Sequence, residues 1–224
     1  MPEPVHVHAP HELSETHAHV GGRERVLELL AVILMSLATV AIAWSGYQAA
    51  RWSGLQAQRY AESSTARAEA NEADTQAAEE RLEDLTNFNR WLELSTAGAA
   101  ELADLYEARF RPEFRPAFEA WLEDDPLNNP GTNPNPLLEP EYELEAETRA
   151  AELDETAADR FEGGREATET GDKYVFTTVF LAAVLFFAGM SMRFSWLTMR
   201  IAVLVLGAAF FTFGLVQLLG LPTR

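Results

Sequence analysis

Three stretches without a charged residue, Leu29–Trp44, Tyr174–Met192 and Ile201–Leu221, constrain this chain more than any other feature. An α-helix rises about 1.5 Å per residue, so with their flanks these stretches match the roughly 30 Å of hydrocarbon in a bilayer. Ser36 and Thr39 are the only hydroxyls in the first stretch, and a helix satisfies both through its own carbonyls. Trp44, Tyr47, Trp52, Tyr174 and Trp196 stand near the ends, where amphipathic rings favour the headgroup layer. Burying three apolar helices in a soluble fold takes a core that 224 residues with a net charge of −18 do not supply. The expected fold class is therefore all-α. It is an integral membrane protein with transmembrane helices over 26–47, 174–192 and 201–221, and an acidic helical stalk and head between the first and second spans.

The charge is segregated as sharply as the apolar residues. Between Ser45 and Asp172 stand 11 Arg against 30 Asp and Glu, which accounts for the whole excess. That balance repels phosphates and removes nucleic acid as a partner. The absence of cysteine excludes disulfides, thiolate catalysis and Cys-ligated metals. Arg23, Arg25, Arg193 and Arg200 lie in short flanks on one side, which favours a cytoplasmic N-terminus with the acidic domain outside. Ala41-Ile42-Ala43 has the form of a signal-peptidase site, but the acid-containing leader and the helical pattern that continues past it favour retention as a span.

Within the acidic segment, Tyr47, Ala50, Gly54, Ala57, Ala61, Ser64, Ala68, Asn71, Thr75, Ala78, Leu82, Leu85 and Leu92 follow a 3-4 spacing, the narrow seam of a coiled coil. No proline interrupts residues 45 to 94, so the first span is expected to continue as a stalk (48–76). A return limb (141–172) carries Leu144, Ala146, Ala150, Leu153, Ala157 and Phe161, and Gly163-Gly164 and Gly171 weaken it as a hinge. Residues 77–140 form the head, rich in Leu and aromatic rings. Pro112 and Pro116 end one helix near Arg111 and start another. The string DPLNNPGTNPNPLLEP (Asp125–Pro140) predicts an extended connector outside the packed core.

Few residues carry recognisable chemistry. All five histidines lie in a tail over residues 1–25: His6, His8, His11, His17 and His19. The His-x-His pairs make His6, His8, His17 and His19 candidate ligands for a transition metal, against the simpler reading of a solvated, proline-containing tail. Arg109, Arg111 and Arg115 alternate with Phe110 and Phe114. They suit an anion or headgroup clamp, but pairing with Glu113, Glu119, Glu123 or return-limb acids is favoured. Asp124, Asp125, Asn128, Asn129, Asn133 and Asn135 have Ca²⁺-type oxygens without EF-hand spacing, and turn formation explains them. No ionisable group stands in the three apolar stretches, which argues against ion-coupled transport. Small residues at Thr39/Ala43, Thr178/Ala182 and Gly207/Gly214 suit helix contacts. No catalytic triad, phosphate loop or cofactor motif is present, so no cofactor is expected.

At AWSGYQAARWSG (Ala43–Gly54), RFRPEFRPAFEAWLEDDPL (Arg109–Leu127) and TVFLAAVLFFAGMSMRF (Thr178–Phe194), the chain resembles an uncharacterised family of bacterial integral membrane proteins. Its members have one N-terminal span, a helical extramembrane region and a C-terminal two-span hairpin. The resemblance implies a bacterial plasma (inner) membrane location and carries over no catalytic residue. The expected function is a non-enzymatic membrane-anchored scaffold or adaptor that presents its head to a protein partner through Phe88, Trp91, Arg109, Arg111, Phe114, Arg115 and Trp121. The alternatives are a homo-oligomeric channel or transport accessory, and, more weakly, metal or pH sensing through the His-rich tail.

Overall fold

The computed structural model describes residues 22–126, 128–129 and 131–224. Among these, 83% are helical and none is in a strand. Five helices follow in order: α1 (Gly22–Thr96), α2 (Ala100–Glu107), α3 (Arg115–Glu123), α4 (Glu145–Ser191) and α5 (Leu197–Gly220), with a 3₁₀ turn at Pro136–Leu138. Helices α1, α4 and α5 are long and apolar enough to cross a membrane by length and composition. The chain divides into two compact units, Met1–Gln56 with Glu166–Arg224, and Ala57–Arg165.

In the first, apolar unit, hydroxyls inside the helices do bond to their own backbone: Ser36 Oγ donates to the Val32 carbonyl and Thr39 Oγ1 to that of Met35, each at 2.8 Å. Ala41, Tyr174, Leu181 and Leu218 form the buried centre that joins α1, α4 and α5. Gly214 lets α5 approach α4, since a Cβ there would stand 3.1 Å from Leu181 Cδ2. Polar groups fasten one end of the unit. Ser45 Oγ donates to the Tyr174 carbonyl at 2.8 Å, while Trp52 Nε1 and the Tyr174 hydroxyl both donate to the Pro222 carbonyl, at 3.2 and 3.1 Å.

In the second unit, Ser63, Ala66, Ala70, Ala73 and Ala77 of α1 are buried, as are Ala146, Ala150 and Ala157 of α4. Ser63 Oγ donates to the Ala157 carbonyl at 2.7 Å, and Ala77 packs with Leu144 and Ala146, so the two helices run antiparallel here. The seam expected through Ala57, Ala61, Ser64, Ala68, Asn71, Thr75 and Ala78 is corrected in phase. The spacing is right, but those residues are exposed and the contact lies two residues on, about 200° around the helix. Alanine occupies both faces, so apolar content alone does not choose between them. Leu82, expected on the same seam, is likewise exposed.

Two further expectations change. Gly163 and Gly164 both lie inside the continuous helix α4, and Gly164 is a close-approach position against the Tyr60 ring, where a Cβ would stand 2.6 Å from Cδ1 and closer still to Cε1. The connector is not outside the core. Asn135 Oδ1 accepts from the Leu137 amide at 3.0 Å, the resulting turn buries Pro136, and Leu137 packs on the aromatic core. Helix α1 ends at Gly98, φ +75°, in a Schellman arrangement whose Ala99 amide donates to the Leu94 carbonyl at 3.0 Å and Gly98 amide to that of Ser95 at 3.2 Å.

The two neighbouring glycines give opposite expectations. Gly163→Ala meets nothing nearer than Arg59 Cδ at 3.8 Å. It should raise stability by up to about 1 kcal/mol through helix propensity. Gly164→Ala must displace Tyr60 from its packing with Phe161, whose ring centroid is 5.3 Å away. Overpacking of that kind costs about 1–3 kcal/mol. Thermal unfolding of the detergent-solubilised chain, followed by circular dichroism, checks that the two variants shift the midpoint in opposite directions.

Candidate functional site

The second unit holds a core made almost wholly of rings. Phe88 and Trp91 come from α1, Phe110 and Phe114 from the turn before α3, Phe118 and Trp121 from α3, and all six are buried with Leu94 and Ala103. The spacing of the RFRPEFRPAF string is what brings three phenylalanines together. Phe110, Phe114 and Phe118 recur every four residues, and Pro116 sits in the first turn of α3, where its missing N–H costs nothing. Edge-to-face pairs dominate: Phe88–Trp121 at 5.0 Å and 89°, Trp91–Phe118 at 4.8 Å and 86°, and Phe110–Phe114 at 5.0 Å and 85°. In these pairs the positive ring edge meets the negative face. Each indole finds an acceptor. Trp121 Nε1 donates to the Asn133 carbonyl at 2.7 Å and Trp91 Nε1 to Glu107 Oε2 at 3.2 Å.

Against this core lies a cluster of ionic groups. Arg111 Nη1 is 2.9 Å from Glu80 Oε2, its Nε is 3.6 Å from Asp84 Oδ1, and Nη2 is 3.7 Å from Glu113 Oε2. Asp84 is 1% exposed, and its Oδ2 accepts from the Tyr142 hydroxyl at 3.0 Å. Asp84 Oδ1 and Arg111 Nε make no hydrogen bond, so their attraction is purely ionic. Burial raises the Asp84 pKa, opposed by the Tyr142 hydrogen bond and the Arg111 charge. Burial and the Asp84 charge likewise push the Tyr142 hydroxyl up. A hydrogen bond from Gln76 holds Glu80 below its usual value, and Arg111 adds to that. Beside the cluster is a groove of about 460 Å³ lined by Glu80, Glu83, Arg111, Glu113, Glu145 and Arg149 among others.

The residues expected to meet a partner therefore divide. Phe88, Trp91, Phe114 and Trp121 are brought together, but as interior, and Arg111 is spent on α1 acids that sequence reasoning did not pair with it. Arg109 and Arg115 are exposed. The Arg109 guanidinium lies 5.7 Å from the Tyr106 ring centre, and Arg115 Nη2 donates to the Glu107 and Ala108 carbonyls at 3.4 and 3.3 Å. Asp84 and Tyr142 were missed. Ala77, Asp84, Phe88 and Trp91 share the buried phase of α1, and the pairing shows only once that phase is known. In the connector, Asn128 Nδ2 donates to Asp125 Oδ1 at 2.9 Å and Asn129 Oδ1 accepts from the Gly131 amide at 3.2 Å, the local bonds of turns. No group of three His, Cys, Asp or Glu able to hold a metal occurs among the described residues. The candidate ligands His6, His8, His17 and His19 lie outside those residues. No protein-family model, no curated protein and no solved structure matches the chain.

Burial favours the neutral acid of Asp84 in the fold over the unfolded chain. Its own contribution is therefore fullest below the ordinary value of 3.8 and is lost as pH rises through the raised folded value. Arg111 limits that loss. Arg111→Met should cost about 3 kcal/mol near neutral pH, where it strands a buried carboxylate. The deficit should shrink as the pH falls from neutral through the raised value and Asp84 takes up its proton. The difference in unfolding midpoint between the two proteins across that range is the measurement.

Proposed function

We propose that this chain is a three-span protein of a bacterial inner membrane and a non-enzymatic scaffold, whose acidic helical region outside the bilayer engages a protein partner. The observation that carries the reading is the outward apolar surface of the first unit. Val40, Val179, Phe186, Val205, Val216 and Leu219 are each more than 60% exposed, far beyond what water tolerates on a soluble protein. Helices α1 and α4 each pass without a break from such a stretch into charged sequence, which supports a stalk in place of a flexible linker. The N-terminus and the 193–200 loop would face the cytoplasm, since their arginines sit in short flanks.

The contact surface moves from the buried rings to α2. That helix buries only Ala103 and leaves Leu102 and Leu105 half exposed beside Arg109. Exposed apolar residues next to a rigid aromatic core suit a docking face, because little ordering entropy is lost on binding. A homo-oligomeric channel or transport accessory is the second reading. It has less support, since Gly207 and Gly214 already meet Phe187, Leu34 and Leu181 within the chain, leaving Thr39/Ala43 and Thr178/Ala182 for other copies. A photo-crosslinking residue at Leu102 or Leu105 in living cells should capture one discrete second protein, and the same residue at buried Phe118 should not. Leu105→Glu in the Leu102 crosslinking variant should abolish capture without lowering the unfolding midpoint. Recovery of the chain crosslinked only to itself would favour the oligomer instead.

A further inference from the structure

We propose that the cleft between α1 and α5 binds one anionic glycerophospholipid, with an acyl chain along the helices and the phosphate at Arg23 and Arg200; this rests on the membrane reading above. Two openings follow one another along the same pair of helices. The first, about 450 Å³, is lined by Gly22, Arg23, Val26, Leu27, Leu197 and Ile201. The second, about 380 Å³ and one turn further along both helices, is lined by Leu30, Leu34, Leu37, Val205 and Phe211 among others. Among the described residues, Arg23 is the only charged one lining either opening. Beyond it, Ala41 and Leu218 belong to one buried cluster, against which Phe211 at the end of the cleft packs.

Its length selects the occupant. From Arg23 to Leu37 α1 advances about 21 Å, which fits one leaflet of hydrocarbon, roughly 15 Å, with its headgroup layer. A helix of a second copy crossing the bilayer needs contact over about 30 Å, twice the apolar depth available. The charge at the mouth agrees. Arg200 stands one residue before Ile201, and its Nε is enclosed without a hydrogen bond among the described residues. Arg25 and Arg193 lie at the same end, and the 193–200 segment contains no acid; Glu24 and Glu28 are the acids of the adjoining α1 turns. Guanidinium forks match phosphate oxygens, and basic pockets between membrane helices hold anionic headgroups.

Native mass spectrometry of the full chain in mild detergent, titrated with phosphatidylglycerol or phosphatidylcholine, tests this. Wild type should retain phosphatidylglycerol in preference. Arg23→Gln with Arg200→Gln should weaken that retention about fivefold per arginine and leave phosphatidylcholine unchanged. Ala208→Trp, which fills the cleft, should reduce both lipids, with helicity by circular dichroism unaltered. Equal retention of the two lipids, undiminished phosphatidylglycerol in the double variant, or a lipid-free dimer would each overturn the site. A chain that remains dissolved without detergent would sink the membrane reading itself, an outcome separable from loss of headgroup preference.

Discussion

A helix closes its backbone hydrogen bonds within itself, and that self-sufficiency is what lets one element begin among apolar side chains and finish among acids. Helix α1 does this over 75 residues, and α4 makes the same passage in reverse over 47. A strand has no such freedom, because its partners lie on other segments whose surroundings must change in step. With the backbone satisfied everywhere, side chains alone decide what each stretch packs against. The apolar unit uses alanine, glycine and leucine with a few buried hydroxyls. The other unit uses an alanine seam and then rings.

The ring core and the Arg111 cluster act as complementary devices. Rings supply area: truncating one of the fully buried phenylalanines would leave a cavity costing about 3–5 kcal/mol. Their edge-to-face contacts orient neighbouring rings but tie no one segment of the chain to another by a polar bond. The Asp84–Arg111–Tyr142 cluster does so, since it ties α1, the turn before α3 and the segment before α4 to one buried carboxylate. The cost of desolvating Asp84 appears in its raised pKa, opposed by the Tyr142 hydrogen bond and the Arg111 charge.

The apolar helices were legible in the sequence because their composition admits one structure type. The start of α3 was legible too, since Pro116 has a preferred place in a first turn. The phase of the α1 seam was not. Ala61, Ala68 and Ala78 on one face are chemically the same as Ala66, Ala70, Ala73 and Ala77 on the other, and the choice is made by partners remote in sequence, such as the Ala157 carbonyl that accepts from Ser63. The error hid the candidate site, because the pairing of Arg111 with Glu80 and Asp84 is visible only once the buried face is known. Likewise, the connector packs because Trp121 requires an acceptor for its indole, a demand that no local propensity expresses.

The Pro222 carbonyl accepts hydrogen bonds from α1 and α4 at once, through Trp52 and Tyr174, just beyond the end of α5. Apolar helices slide along one another at little cost when only dispersion holds them, since one methyl group exchanges for another. A single oxygen shared by two aromatic donors removes that freedom, because any axial slip of α5 by half a turn severs both bonds together. The shared acceptor thus holds α1, α4 and the segment after α5 in one axial register at that end.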